Sequence, residues 1–164
     1  NIIMAAEQTI KLADRKVIVL PTRSIPQGLS AMLAFDPEAD VKTNHLNMAK
    51  ALDRVGTGQV TFAARDSEYD NQVIKKGELL AMENGKIVFT ERSLTKSVIR
   101  LTRSLLKKST NEDGNFVTLL YGADVTEEKA QQVERDLKAK LPEDVEITLV
   151  NGGQPVYYFI ISVE

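Results

Sequence analysis

The sequence predicts a mixed α/β protein of two small lobes: a partial parallel α/β layer, then a mixed β-sheet carrying two helices. Three observations predict it. Val17-Ile18-Val19-Leu20 is a run of four β-prone apolar residues, the pattern of a strand buried on both faces inside a parallel sheet. Segments on either side of that run carry apolar residues at helical spacing. Beyond Gly56-Thr57-Gly58 the rhythm changes to period two, and helical stretches then alternate with further strands.

In chain order, Ile2–Asp14 places Ile3, Ala6, Ile10 and Ala13 on one helical face, with Asn1 available as a cap. The Val17–Leu20 strand stops at Pro21, which cannot donate into a ladder. Thr22 and Ser24 supply hydroxyls, and Pro26 and Gly28 mark a turn into the helix Leu29–Phe35. Strand, polar turn and helix N-terminus together form a common place for an α/β domain to build a binding surface. Phe35-Asp36-Pro37 closes that helix, and Asp36, Glu38 and Asp40 occupy a short acidic link before the helix Val41–Leu52. The paired glycines of Gly56-Thr57-Gly58 break both helix and strand, so the expected domains are residues 1–56 and 57–164.

In the second part, Gln59–Ala64, Leu79–Met82 and Ile87–Thr90 read as strands, with Asn84-Gly85 as a hairpin turn because both residues tolerate φ > 0. Ser93 or Thr95 opens a helix to about Lys108, with the seam Leu94, Val98, Leu101 and Leu105. Arg100, Arg103 and Lys107 line its other side without an acidic neighbour in the helix. Asn111–Asn115 is a polar loop before the strand Phe116–Tyr121. A helix then starts near Asp124–Thr126, where Glu127 and Glu128 suit the positive end of the dipole; its seam is Ala130, Val133, Leu137 and Leu141. Val145–Val150 and Pro155–Val163 complete the sheet on either side of a turn at Gly152-Gly153-Gln154-Pro155.

The bulk numbers narrow the function classes. The 164 residues are 43% hydrophobic and 27% charged, an ordinary globular balance. A net charge of -2 does not suggest a nucleic-acid partner. With no cysteine, disulfides and thiolate metal sites are excluded, and a reducing compartment is compatible. No apolar run approaches the ~20 residues that span a bilayer, and no signal peptide is visible. The chain begins Asn1-Ile2-Ile3 without an initiator methionine, and we expect it to be a piece of a longer polypeptide.

Candidate chemistry is sparse. His45 is the only histidine, and metal binding needs three or four clustered ligands, so a surface or half-buried helix position is the better account. Gly56-Thr57-Gly58 fits neither phosphate-binding glycine pattern, and Gly152-Gly153 between two strands reads as a β-turn. Arg65-Asp66-Ser67-Glu68-Tyr69-Asp70 mixes charge with one aromatic after a strand; paired carboxylates there could do acid–base work, and a solvated loop is the commoner reading. Its acids and those at Asp36, Glu38 and Asp40 all follow core elements, and an acidic rim would steer a basic partner. The cationic face of the Leu94–Lys108 region lacks the interleaved aromatics of a nucleic-acid or membrane surface.

Several stretches together resemble the C-terminal domain of the bacterial fatty acid kinase subunit, the FakA type. They are Pro21-Thr22-Arg23-Ser24-Ile25-Pro26-Gln27-Gly28, Phe35-Asp36-Pro37-Glu38-Ala39-Asp40, Thr57-Gly58-Gln59-Val60-Thr61, Ile74-Lys75-Lys76-Gly77, Tyr121-Gly122-Ala123-Asp124-Val125, and Gly152-Gly153-Gln154-Pro155 with Ile161-Ser162-Val163-Glu164. The resemblance implies a fold related to the DegV-type fatty-acid carriers (FakB). It also implies a cytoplasmic, non-catalytic domain that docks the loaded carrier so that the kinase makes acyl-phosphate for phospholipid synthesis. ATP and magnesium then belong to a separate N-terminal domain resembling the dihydroxyacetone kinase L subunit, and a central domain dimerises. The expected partners are the carrier and those two domains of the same chain, with no nucleic acid and no membrane span. No catalytic, cofactor or metal residue is expected here, and Asp36, Glu38, Asp40, Asp66, Glu68 and Asp70 are the acids assigned to docking. The alternatives are direct binding of a fatty acid or small molecule by a carrier-like fold, and a phosphotransfer enzyme of the dihydroxyacetone kinase class.

Overall fold

The structure is a computed structural model that describes residues 2–70, 72–110 and 115–164. The expected cap at Asn1 and all of the expected 111–115 loop except Asn115 lie outside these residues. Two compact units divide the chain between Asp53 and Arg54.

The first unit contains α1 (Ile2–Thr9), α2 (Ile25–Leu33) and α3 (Val41–Asp53). Helix α1 stops at Thr9, short of the expected Asp14, and buries none of its described residues. Thr9 Oγ1 donates to Ala6 O at 2.6 Å, the local side-chain bond by which threonine competes with a continuing helix. Helix α2 begins at Ile25 rather than at Leu29. Ser24 Oγ accepts the Gln27 N–H at 3.3 Å, and Pro26 falls in the first turn, where a missing N–H leaves no bond unmade.

The segment Val17–Leu20 is a correction. It forms no regular element and pairs with no strand, and it is only partly buried, with Ile18 38% exposed. A strand needs a neighbour to take its N–H and C=O groups, and the regular elements of this unit are helices. Four β-prone residues therefore do not make a strand without a ladder partner. The segment ends in a tight turn in which Thr22 N–H donates to Leu20 O at 2.8 Å across Pro21.

The second unit holds β1 (Gly56–Phe62), β2 (Ser67–Tyr69), β3 (Gln72–Ile74), β4 (Leu79–Glu83), β5 (Lys86–Glu91), α4 (Leu94–Lys108), β6 (Asn115–Tyr121), α5 (Glu127–Lys138), β7 (Val145–Asn151) and β8 (Phe159–Val163). Six strands form one sheet in the order β5-β4-β1-β8-β6-β7, and β2-β3 is a separate hairpin. The one parallel pairing among the described strands is β6 with β7; the rest are antiparallel. The mixed α/β class holds, with its parallel pair here and not at Val17–Leu20.

The helical seams expected from spacing are the ones that pack. Val98, Leu101 and Leu105 of α4, and Ala130, Val133 and Leu137 of α5, are buried with Val60, Leu119, Phe159 and Ile161 of the sheet. Ser93 and Thr126 cap these helices by accepting the Lys96 and Lys129 N–H groups. Asn84 and Gly85 both have positive φ in the β4–β5 turn, as a two-residue hairpin requires.

Two glycine motifs serve shape in ways that differ from the expectation. Gly56-Thr57-Gly58 does not break the strand but begins β1. A Cβ on Gly58 would come within 2.8 Å of Leu101 Cδ2, so the missing side chain lets α4 sit close to the sheet. Gly152-Gly153 is not the expected β-turn but part of an irregular link, because β6 lies between β7 and β8. The linking segment is tied back to β6: Gly152 N–H donates to Tyr121 O at 3.0 Å, and Gln154 Nε2 donates to Leu120 O at 2.9 Å. A Cβ on Gly122 would run into the Tyr157 carbonyl of the same segment.

Candidate functional site

Asp36, Glu38 and Asp40 lie exposed in the α2–α3 link. Buried Asn44 on α3 organises that link: its Nδ2 donates to Asp36 O at 2.7 Å and Ala39 O at 3.2 Å, and its Oδ1 accepts the Asp36 N–H at 2.8 Å. Asp36 Oδ1 in turn accepts the Glu38 N–H at 2.9 Å. Asp40 Oδ1 accepts the Thr43 N–H at 2.8 Å as α3 begins, and this bond, with one from the Thr43 side chain, holds its carboxyl below the ordinary carboxylate value.

The second set belongs to the other unit. Asp66 Oδ1 accepts the Lys76 N–H at 2.7 Å, and its Oδ2 lies 3.5 Å from Lys75 Nζ. The Lys76 N–H is the main cause of its lowered pKa, with the Lys75 charge adding to it. Glu68 sits exposed in the middle of β2 opposite Val73, and Asp70 has φ 51 at the hairpin's end. Each set is thus gathered within its own link. Asp40 and Asp66 already hold backbone, whereas the carboxylates of Glu38, Glu68 and Asp70 make no hydrogen bond or ion pair among the described residues.

Two concavities accompany these links. In the first unit a cavity of about 290 Å³ is lined by Ile18, Leu20, Phe35, Val41 and Met48, with Lys16 and His45 also contributing. His45 is exposed on α3, and among the described residues no three His, Cys, Asp or Glu side chains cluster as metal ligands. In the second unit a surface groove of about 710 Å³ runs along α4, lined by Lys96, Arg100, Arg103, Lys107, Ile99 and Ser104, with Glu91 and Lys140. The cationic face noted in the sequence is therefore concave. Lys96 extends it by one helical turn, a position the i, i+4 spacing identifies, whereas Lys140 joins it through tertiary packing alone. No helix among the described residues is long and apolar enough to cross a membrane.

Over residues 1–164 the sequence matches the FakA-like C-terminal family, the C-terminal part of A-like subunits of fatty acid kinase. The chain belongs to that family. It is 41% identical over its whole length to protein YloV of Bacillus subtilis and 37% identical to an uncharacterised protein of Staphylococcus haemolyticus. It spans 29% of the length of each of these relatives. Among solved structures, a DegV family protein from Corynebacterium glutamicum superposes with a TM-score of 0.65 at 19% identity, over 98% of this chain and 67% of the other. A fatty-acid-binding DegV family protein from Streptococcus agalactiae gives 0.61 at 16%, over 98% and 64%. The dihydroxyacetone kinase of C. freundii gives 0.62 at 14%, over 98% and 35%. At these identities the likeness is one of fold, and this domain of a kinase-related family has the DegV-like fold.

Proposed function

We infer that the domain docks a fatty-acid-loaded carrier of the DegV type and presents it to the kinase portion of the longer protein, which makes acyl-phosphate for phospholipid synthesis. One observation carries the reading: the whole chain matches the fatty acid kinase C-terminal family while its fold is that of DegV proteins. In this reading phosphotransfer, ATP and magnesium belong to other domains, and the protein works in the cytoplasm.

The acids assigned to docking remain Asp36, Glu38, Asp40, Asp66, Glu68 and Asp70. Their bonding divides the roles. Asp40 and Asp66 shape the links, and Glu38, Glu68 and Asp70 offer uncommitted carboxylates to a basic carrier surface. The test reverses Glu38 alone, then Glu68 with Asp70, to lysine in the full-length kinase protein, and measures carrier affinity at low and high salt. Loss of affinity that shrinks with salt is expected, since exposed charges are screened beyond ~10 Å at 0.1 M. Unchanged affinity and salt slope in both variants remove these acids from the interface.

A second reading, direct binding of a fatty acid or small molecule, is favoured by the apolar cavity at Ile18, Phe35 and Met48 with Lys16 and His45 beside it. Extraction of the purified protein and mass spectrometry of any bound lipid separates it from the first.

A further inference from the structure

We propose that the α4 groove is a docking site for an acidic protein segment, a contact separate from the one assigned to the acidic links. Two kinds of cation stand on α4. Lys108 is bonded to Glu83, whereas Lys96, Arg100, Arg103 and Lys107 have no carboxylate within ion-pair distance among the described residues. These four occupy i, i+4, i+7 and i+11, one helical stripe roughly 16 Å long at 1.5 Å per residue. Lys140 adds a fifth cation to the groove against a single lining carboxylate, Glu91. Glu91 Oε1 accepts the Arg92 N–H at 2.9 Å, and this bond first, with the nearby Lys96 and Arg100 charges adding to it, holds its carboxyl below the ordinary value, so one carboxylate partly offsets five cations.

Self-repulsion makes this stripe unusual as mere solvated surface. Lys96 with Arg100, and Arg103 with Lys107, are like-charge i, i+4 pairs, which disfavour a helix in isolation. The exposed face of α5 shows the ordinary alternative. There Glu127, Glu128, Lys129, Glu134, Arg135 and Asp136 mix signs, and Gln132 bridges Asp136 and Arg135. A local rule broken on one helix and kept on its neighbour marks a surface shaped by something outside the helix. An anionic partner removes the repulsion.

The lining selects the class of anion. Single-stranded nucleic acid calls for aromatic platforms, but no aromatic residue lines the groove, and the Phe89 ring beneath it is capped by the Arg100 guanidinium 4.0 Å from its centroid. A duplex, which needs only cations on its phosphates, is disfavoured by the net charge of -2 and is a control in the test below. A membrane surface calls for apolar side chains that project beyond the cations, whereas Ile99 is partly buried in the groove's lining. Cations spread along ~16 Å match successive carboxylates on one polypeptide better than one compact phosphate. Arg100, whose Cζ sits over the Phe89 ring, is held in place with guanidinium N–H donors to offer a carboxylate.

The proposal does not rest on the carrier reading, since it concerns charges of the opposite sign. Its test uses the full chain and a fluorescein-labelled 15-residue helical peptide with Glu at i, i+4, i+7 and i+11, read by anisotropy. The controls are the same peptide with Gln, a DNA duplex, and phosphatidylserine vesicles. Binding of the Glu peptide that weakens with salt and falls roughly tenfold or more in Lys96→Glu/Arg103→Glu/Lys107→Glu is expected, with Lys129→Glu on α5 unchanged. If the triple reversal unfolds the chain, by circular dichroism, the Gln triple variant takes its place with the same expectation. Equal binding of Glu and Gln peptides, or an unaltered affinity in the triple variant, overturns the proposal. So does DNA or vesicle binding that is tighter than the peptide's and lost in the same variant.

Discussion

Lys108 grips both oxygens of the Glu83 carboxylate, its Nζ lying 2.6 Å from Oε1 and 2.8 Å from Oε2. Glu83 closes strand β4 and is only 9% exposed, while the lysine side chain remains 63% exposed. The pair fastens the last turn of α4 to the sheet, with Ser104 Oγ at 3.5 Å as the other partner. Lys108→Ala leaves a buried carboxylate with that one weak contact and is expected to cost about 1–3 kcal/mol in urea unfolding. Lys108→Met combined with Glu83→Gln is expected to recover part of this, because the uncompensated charge is gone.

Glycine substitutions are expected to separate sharply. Gly58→Ala puts a Cβ 2.8 Å from Leu101 Cδ2 and 2.9 Å from its Cγ, in a fully packed core, and should cost about 1–3 kcal/mol. Gly122→Ala meets backbone carbonyls of Tyr157 and Gln154, which cannot turn aside as a leucine tip can, and should cost more than Gly58→Ala. Gly28→Ala in α2 meets nothing within 4 Å and should raise helix stability by up to about 1 kcal/mol. Thermal unfolding of the three variants checks the order. If the proposed docking is tested in the same variants, a Gly28→Ala protein that is more stable yet binds a DegV-type carrier less well points to close approach of that protein at this position.

Acid titration should report the links. Asp40 and Asp66 have folded-state pKa values depressed below the ordinary 3.8 by backbone N–H donors. A depressed carboxyl contributes stability that is fully present well above its unfolded pKa and is lost as pH falls through the folded one. The Tm deficits of Asp40→Asn and Asp66→Asn should therefore be constant well above the ordinary carboxylate range and shrink as the pH falls through the depressed folded values. A deficit unchanged at low pH contradicts the assignment of these carboxylates as anionic acceptors.

Val156 stands at φ 71, a left-handed conformation that a β-branched residue adopts at a cost. Its carbonyl accepts the Thr61 hydroxyl at 2.7 Å, which holds the β7–β8 connection onto β1. Val156→Gly relieves the backbone, and the gain, offset by glycine's entropy, should be about 1 kcal/mol or less. Thr61→Val removes the donor and should cost about 1 kcal/mol. Paired thermal melts of the two variants test the signs.

Local chemistry made much of this legible. The helix starts near Ser93 and Thr126, Asn84-Gly85 as a hairpin, and the α4 and α5 seams each depend on residues close along the chain, so periodicity and side-chain type suffice, while the structure chose Ser93 over Thr95 as the cap. The misread stretches depend on distant partners. Val17–Leu20 has the composition of a strand, but a ladder needs a second strand at its edge, and composition does not supply one. Gly56-Thr57-Gly58 has the composition of a break. It is a strand because β4 and β8, both distant in the chain, pair with it, and its glycines leave room for Leu101 and Leu105 of α4 to pack close.

The candidate surfaces divide in the same way. The sequence by itself determined which charges occur together in a link or on a helix stripe, because both are matters of spacing along one backbone. It thereby placed Asp36 with Glu38 and Asp40, and Arg100 with Arg103 and Lys107. Only the tertiary structure decided which of those charges are already used. Lys108 is taken by Glu83, Asp66 by the Lys76 N–H, and Asp36 is held in a link pinned by Asn44, while Lys140 is brought to the groove from beyond α5. A charge's partner is set by distance through space, which falls off over a few ångströms and bears no fixed relation to separation along the chain.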